Sequence, residues 1–413
     1  MVAILCLLAA ISYLDRYIVA LLAAPIMEEL DLRPTDIGVL IGIGFGLLYA
    51  VSSVPLAHLI DRHNRRWIIA IGVTIWSIAT VASAFSETFS LLLVTRAGVA
   101  IGEAVLVPAT VSLIGDLFAP HRRALPIGAF MAISTLMGSA SFLIGGWILG
   151  WSEGLDTFLA PWRMTLLVVG VAGLIVVPVW LIASREPQRS AFEAEPSSAS
   201  LRQTLDYIAA RWDFFMPFYA GFAISAIVTY GFISWGTTML VQSHGLEVPV
   251  AGERFGIAGM IGGIASAILW PWIGGRAIAS RRTDIAVAII GAALFLGNVA
   301  VVLLSVMAGL SFTLVLIMFA VFGQGAAAGL AVLSLQAVAP APMRARLTSL
   351  YMLAGNFACL IFGPMIVAQL AETVYSGPDA IRYSLVLTAA VCGIGTALMF
   401  GLAAINLCRS KIN

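Results

Sequence analysis

The sequence predicts an all-α membrane protein in which twelve transmembrane helices form two pseudo-symmetric six-helix bundles. Three observations carry that reading. Apolar residues make up 61% of the chain and charged residues only 10%, far below the roughly 25% charged residues of soluble domains. Apolar runs of about twenty residues, long enough to cross a bilayer, recur from end to end. The turn Ala119-Pro120-His121-Arg122-Arg123-Ala124 returns about 222 residues later as Ala341-Pro342-Met343-Arg344-Ala345-Arg346, the mark of an internal duplication.

Taken in order, the spans read 2–25, 36–59, 67–86, 89–117, 124–150 and 162–183, then 213–241, 255–279, 284–307, 310–337, 344–371 and 380–408. The chain opens on an apolar run with no basic leader region and no small-residue cleavage site, so the first run reads as a spanning helix rather than a signal peptide. Its abrupt start leaves room for a preceding tail. Spans two and eight match as copies, with Gly38, Gly42, Gly44 and Gly46 set against Gly256, Gly259, Gly262 and Gly263, and with Pro55 and Pro271 near their ends. Between spans six and seven lies the only sizeable polar segment, rich in Ser, Glu and Arg. This gives an N-terminal bundle over 1–184, a cytoplasmic linker over 185–212 with a candidate amphipathic surface helix, and a C-terminal bundle over 213–413.

Orientation follows from the loops. Of twenty loop Lys and Arg residues, sixteen fall on one side, and only Arg33, Arg163, Arg254 and Arg382 on the other. The positive-inside rule then puts both termini and the linker in the cytoplasm of a cell-membrane protein, which requires an even number of spans.

Charges at membrane depth are costly and mark function by default. Span four carries Arg96 and Glu103 seven residues apart, close to two helical turns, so both lie on one face roughly 10 Å apart along the axis. Span one carries Asp15 and Arg16 at nearly the depth of Arg96, pointing about 100° apart on their helix. The expectation is that Asp15 pairs with an arginine while Arg16 sets the positive potential of a site. A static pair locking spans one and four is the bland alternative, but a buried pair rarely stabilises a fold on balance. Glu103 lies nearest the bilayer centre, beside Gly98 and Gly102, where small residues allow close helix approach. Burial and the guanidinium of Arg96 pull its proton affinity in opposite directions, which makes it the candidate proton carrier; a carboxylate held permanently charged by that arginine is the competing view.

After span two, Asp61-Arg62-His63-Asn64-Arg65-Arg66 sets an acid at a helix end before three arginines. Asp61 would cap a neighbouring helix N-terminus, and Arg65 would reach Asp116 at the end of span four. With Arg62 and Arg122 alongside, these residues form a candidate cytoplasmic gate. Alternatively the arginines serve topology alone.

Other classes have little support. The net charge of +1 carries no nucleic-acid footprint, and the four cysteines lie in apolar runs without metal-ligand spacing. The four histidines are scattered, with no HExxH, nucleophile elbow or P-loop. The chain therefore reads as neither an enzyme nor an ATP-driven pump, with no cofactor and no metal.

At this point the residues carry a resemblance. Asp61-Arg62-x-x-Arg65-Arg66, Arg96 with its glycines, and Gly138, Gly145 and Gly146 of span five resemble the signature motifs of the major facilitator superfamily, departing from them at Ala57 and Asn64. More narrowly, Tyr13-x-Asp15-Arg16-Tyr17, Gly102-Glu103-Ala104, Asp116-Leu117-Phe118 and Arg122 resemble the Spinster-like branch, whose members shuttle lysophospholipids and sphingosine-1-phosphate. The resemblance implies a monomeric carrier in which Asp15, Arg16, Arg96 and Glu103 form the headgroup and coupling site.

The second half adds neutral polar residues, Thr229, Tyr230, Asn298, Gln324 and Asn356, among aromatics including Phe222, Phe232 and Trp235. A cavity charged on one wall and apolar on the other suits an amphiphile, with Tyr13, Tyr230, Trp235 and Asn356 as lining candidates. The reading is a secondary transporter of a lipid-like anion working by alternating access and coupled to protons, with membrane lipids around it. A drug or small organic-anion carrier of the same superfamily is the nearest alternative, and a lipid scramblase or non-transporting receptor the alternative from another class.

Overall fold

In the computed structural model, which describes residues 1–188, 200–306 and 309–409, the chain is helical and has no strand among the described residues. Among the described residues, twelve helices are long and apolar enough to cross a membrane. The first six run Val2–Leu21, Pro34–Arg62, Arg65–Ser83, Phe89–Leu117, Ala124–Glu153 and Pro161–Ala183. The last six run Trp212–His244, Val248–Ala279, Thr283–Leu303, Leu310–Val338, Ala341–Thr373 and Ala380–Arg409. The largest departure from the expected spans is the eighth, which starts at Val248 rather than 255. Glu253 and Arg254 interrupt the apolar run there, but Pro249 in the first turn suits a helix start, where its missing N–H is not needed. Part of the expected linker lies outside the described residues; within it, Leu201–Ala210 is a helix started by a capping box between Ser200 and Gln203.

Local chemistry sets the helix starts. Thr88 accepts from the Leu91 N–H and so caps the fourth span, while Asn64 accepts from Trp67 and caps the third. Pro34 and Pro161 open the second and sixth spans.

Contacts divide the chain into two compact units, Met1–Ser190 with Gly236–Ile257 and Ala191–Trp235 with Ala258–Asn413. In the first unit the third span packs along the sixth and the first along the fifth. In the second unit the ninth packs along the twelfth, the counterpart of the third against the sixth. The first unit's core is anchored by Phe45, Trp76 and Trp180. The second's is a set of rings in which Phe218 meets Tyr351 at 5.5 Å and Phe400 at 5.4 Å. Val54, Leu125 and Ile182 are at least three-quarters exposed, as an apolar side chain facing lipid would be.

Candidate functional site

The first unit brings together Asp15, Arg16, Arg96 and Glu103, the four charges singled out on spans one and four. Asp15 Oδ1 accepts from Arg96 Nη1 at 3.0 Å. Arg16 reaches Glu103 Oε2 with Nη2 at 2.8 Å and with Nε at 3.2 Å. Asp15 and its arginine are paired as the depths predicted. Arg16 is more than a source of potential, and Glu103 takes it as partner instead of Arg96, because the neighbours Asp15 and Arg16 leave their helix about 100° apart and each meets a different turn of the facing span. Spans one and four are thus joined by two ion pairs, with Asp15, Arg96 and Glu103 almost wholly buried.

Spans two and three complete the shell with residues the sequence did not single out. At Ile43–Leu47 the second span opens into a single π-helical turn, a feature that often accompanies functional sites. Gly44 lies in this turn against the fourth span, where a Cβ would come 2.5 Å from Leu93 Cδ1. The turn presents Phe45, whose ring lies 5.1 Å from the Arg16 guanidinium and 5.4 Å from that of Arg96, and the helix that follows it presents Tyr49, at 4.7 Å from Arg16. Tyr13 adds a third face at 5.0 Å. Aromatic faces attract a desolvated guanidinium. From the third span, the Thr80 hydroxyl donates to Asp15 Oδ2, fixing the carboxylate while Oδ1 faces Arg96. Only the glycines around Phe45 hinted at this in the sequence; nothing marked Thr80.

The fourth span breaks at the site. Its first helical segment ends on Glu103 and a second begins at Leu106. Just before the break, backbones of spans three and four touch: a Cβ on Gly102 would lie 2.7 Å from both Gly72 O and Trp76 N. Two atoms of the cluster remain buried without a hydrogen-bond partner, Glu103 Oε1 and Arg96 Nε. Unmet buried groups of this kind are uncommon and ask for a reason.

The candidate gate residues separate. Arg65 is buried and bonds Asp116 Oδ2 at 2.5 Å and Ser112 Oγ at 2.9 Å, and also Glu186 Oε1 at 2.7 Å. Glu186, in the segment after span six, was missed; it holds the Arg66 N–H as well, at 3.0 Å. Asp61, Arg62 and Arg122 are exposed and form no ion pair among the described residues. In the second unit Trp235 is fully buried and donates to Pro364 O at 2.9 Å, which commits its ring to packing. Tyr230 is buried and Asn356 exposed.

A fold of twelve spanning helices, with paired charges between its first and fourth, defines a multi-pass membrane protein of the carrier type. The match to the Major Facilitator Superfamily runs over residues 5–364, and the chain belongs to that family. An MFS-type efflux pump of Mycolicibacterium smegmatis is 30% identical over 63% of this chain and 59% of its own length. A probable L-galactonate transporter of Escherichia coli is 27% identical over 98% of this chain and 88% of its own. Protein spinster homolog 1 of Bos taurus is 29% identical over 59% of this chain and 46% of its own, so the match spans about half that relative. Among solved structures, a bacterial homolog of the human lysosomal transporter Spinster, inward-facing and unoccupied, superposes with a TM-score of 0.85 at 23% identity, covering 99% of this chain and 97% of that one. The chain is Spinster-like in sequence and in fold.

Proposed function

We propose that this chain is a secondary active transporter that moves an amphiphilic, lipid-like anion by alternating access and couples the movement to protons. The observation that carries the reading is the buried tetrad of Asp15, Arg16, Arg96 and Glu103 with two unmet atoms, one acceptor and one donor. An anionic oxygen entering the cluster would compete with Glu103 for Arg16. A carboxylate that loses its partner at bilayer depth is too costly to keep charged and is neutralised by a proton, so anion and proton would load together. Release of the cargo returns Arg16 to Glu103 and expels the proton.

The same reading treats 1–184 and 213–413 as the rocking bundles, 185–212 as a cytoplasmic linker and the protein as a working monomer in the cytoplasmic membrane with both termini inside. The loop arginines support that sidedness, since two of the four on the minority side, Arg163 and Arg382, are buried rather than facing solvent. Arg65 between Asp116 and Glu186 would be the cytoplasmic latch.

A second reading has a specific ground. One sequence match that runs along nearly the whole chain is to a probable L-galactonate transporter, which favours a small organic anion. Proteoliposome uptake of a lysophosphatidylglycerol beside L-galactonate and other soluble anions separates the two: saturable movement of soluble anions alone sinks the lipid reading. Glu103→Gln tests the coupling, and unaltered proton flux and pH dependence in that variant would remove the carboxylate from the mechanism.

A further inference from the structure

The second unit repeats the first unit's helix break with different chemistry. Glu103 is the midpoint of the 29-residue span Phe89–Leu117, and Gln324 is the midpoint of the 29-residue span Leu310–Val338. Each is the last residue of its span's first helical segment. Each also follows a glycine jammed against a neighbouring span. A Cβ on Gly323 would lie 2.5 Å from Ala293 O and 2.6 Å from Gly297 Cα, as one on Gly102 would meet Gly72. The two units therefore share the close crossing, with a carboxylate beside it in the first and an amide in the second.

That amide is not used by its own unit. Gln324 is about 95% buried, and its Nε2 has no hydrogen-bond partner. Ser266 Oγ, also buried and without a partner, lies against the break itself, at the place a Cβ on Gly325 would occupy. Beside them Trp270 donates to Phe322 O at 2.7 Å, so its indole is already satisfied. Two buried donors at a broken membrane helix are costly to leave unmet, and broken helices at the midplane are where carriers of this kind bind cargo.

We propose that Gln324 and Ser266 form a hydrogen-bonding subsite for a neutral oxygen of the cargo, an ester carbonyl in the lipid reading. Neutral donors match a neutral acceptor, whereas an anionic oxygen calls for charge-assisted partners, and the buried charges of this unit, Asp284 and Arg382, lie near span ends. The inference rests on the transporter reading and names the groups that would recognise the neutral oxygen of the cargo.

The test compares an acyl lysophosphatidylglycerol with its ether analogue, which lacks the carbonyl, in proteoliposomes of the full chain. Wild type should carry the acyl form with a KM about tenfold lower, the size of one net hydrogen bond, and Gln324→Leu should abolish that preference by raising KM for the acyl form alone. Ser266→Ala, a smaller change that guards against misfolding, should narrow it. A purely structural glutamine predicts a lower thermal midpoint in Gln324→Leu with the acyl preference intact, and that result overturns the proposal. If wild type carries no lysolipid but does carry a soluble anion, the lipid reading has failed; Gln324 is then judged on that anion, and an unchanged KM in Gln324→Leu rejects the subsite.

Discussion

Glu103 is bridged at 2.8 Å to Arg16, 87 residues earlier in the chain, rather than to Arg96, which shares its helix. Because Arg96 holds Asp15, the neighbour of Arg16, the two pairs cross-link the same two helices and neither carboxylate can exchange partners without disturbing the other. An ion arriving at one pair is therefore felt at both. That coupling is what distinguishes this cluster from two independent buried salt bridges.

Removing one member should hurt stability more than removing a pair. Glu103→Met leaves the Arg16 guanidinium without its counter-ion and should lower unfolding stability by about 3–5 kcal/mol, Arg16→Met should cost less because Glu103 can take up a proton, and the double variant Arg16→Met/Glu103→Met recovers most of the larger loss. Transport should be absent from all three. Thermal unfolding of the purified proteins in one detergent measures the cycle, and additive losses in the double variant would show that the pair is not the unit described.

Thr80 should act only through Asp15. Its hydroxyl donates to the carboxylate from the third span, so Thr80→Val deletes a charge-assisted bond worth about 1.5–3 kcal/mol and leaves Oδ2 short of a donor. In an Asp15→Asn background the same change should cost much less. Equal costs in both backgrounds, read by unfolding midpoints, would separate Thr80 from the cluster.

Most of this architecture was readable from the sequence because membrane helices announce themselves through length, composition and loop charge. Asp15, Arg16, Arg96 and Glu103 were legible for the same reason: a charge inside an apolar run stands out. Partner choice was not, since it depends on which turns face each other across two helices, and helical periodicity alone does not fix their rotation. Phe45 and Tyr49 look like ordinary apolar-run residues until the π turn re-aims them, and Thr80 resembles any membrane threonine. Glu186 sits in a segment full of charges, where nothing in the sequence marks it as the acid that folds back onto Arg65.

Close helix approach at the site should make Gly102 intolerant of even one methyl. A Cβ there would lie 2.7 Å from backbone atoms of Gly72 and Trp76, which cannot move aside as a side chain would, so Gly102→Ala should cost about 1–3 kcal/mol or more and displace Glu103. Gly115, on the same span, has nothing within 4 Å of the point where a methyl would sit, and Gly115→Ala should be neutral or slightly stabilising. Expression, unfolding midpoint and transport of the two variants give the contrast; matching behaviour would deny the close crossing its role.

The Arg65 cluster should tolerate loss of one acid but not of both. Arg65 is 2% exposed and divides its donors between Asp116 at 2.5 Å and Glu186 at 2.7 Å. Glu186→Gln keeps a hydrogen-bond acceptor and leaves Asp116 to balance the charge, and Asp116→Asn leaves Glu186 to do so. Each single change should therefore cost about 1–2 kcal/mol, whereas Asp116→Asn/Glu186→Gln strands a buried guanidinium and should cost about 3–5 kcal/mol. Because Glu186 follows the sixth span while Asp116 ends the fourth, the double variant should also release the segment after Ala183, raising its amide hydrogen exchange while the Asp15–Arg96 region stays protected. A double variant no less stable than either single one, or exchange that rises equally in both regions, would mean that Arg65 does not join these elements.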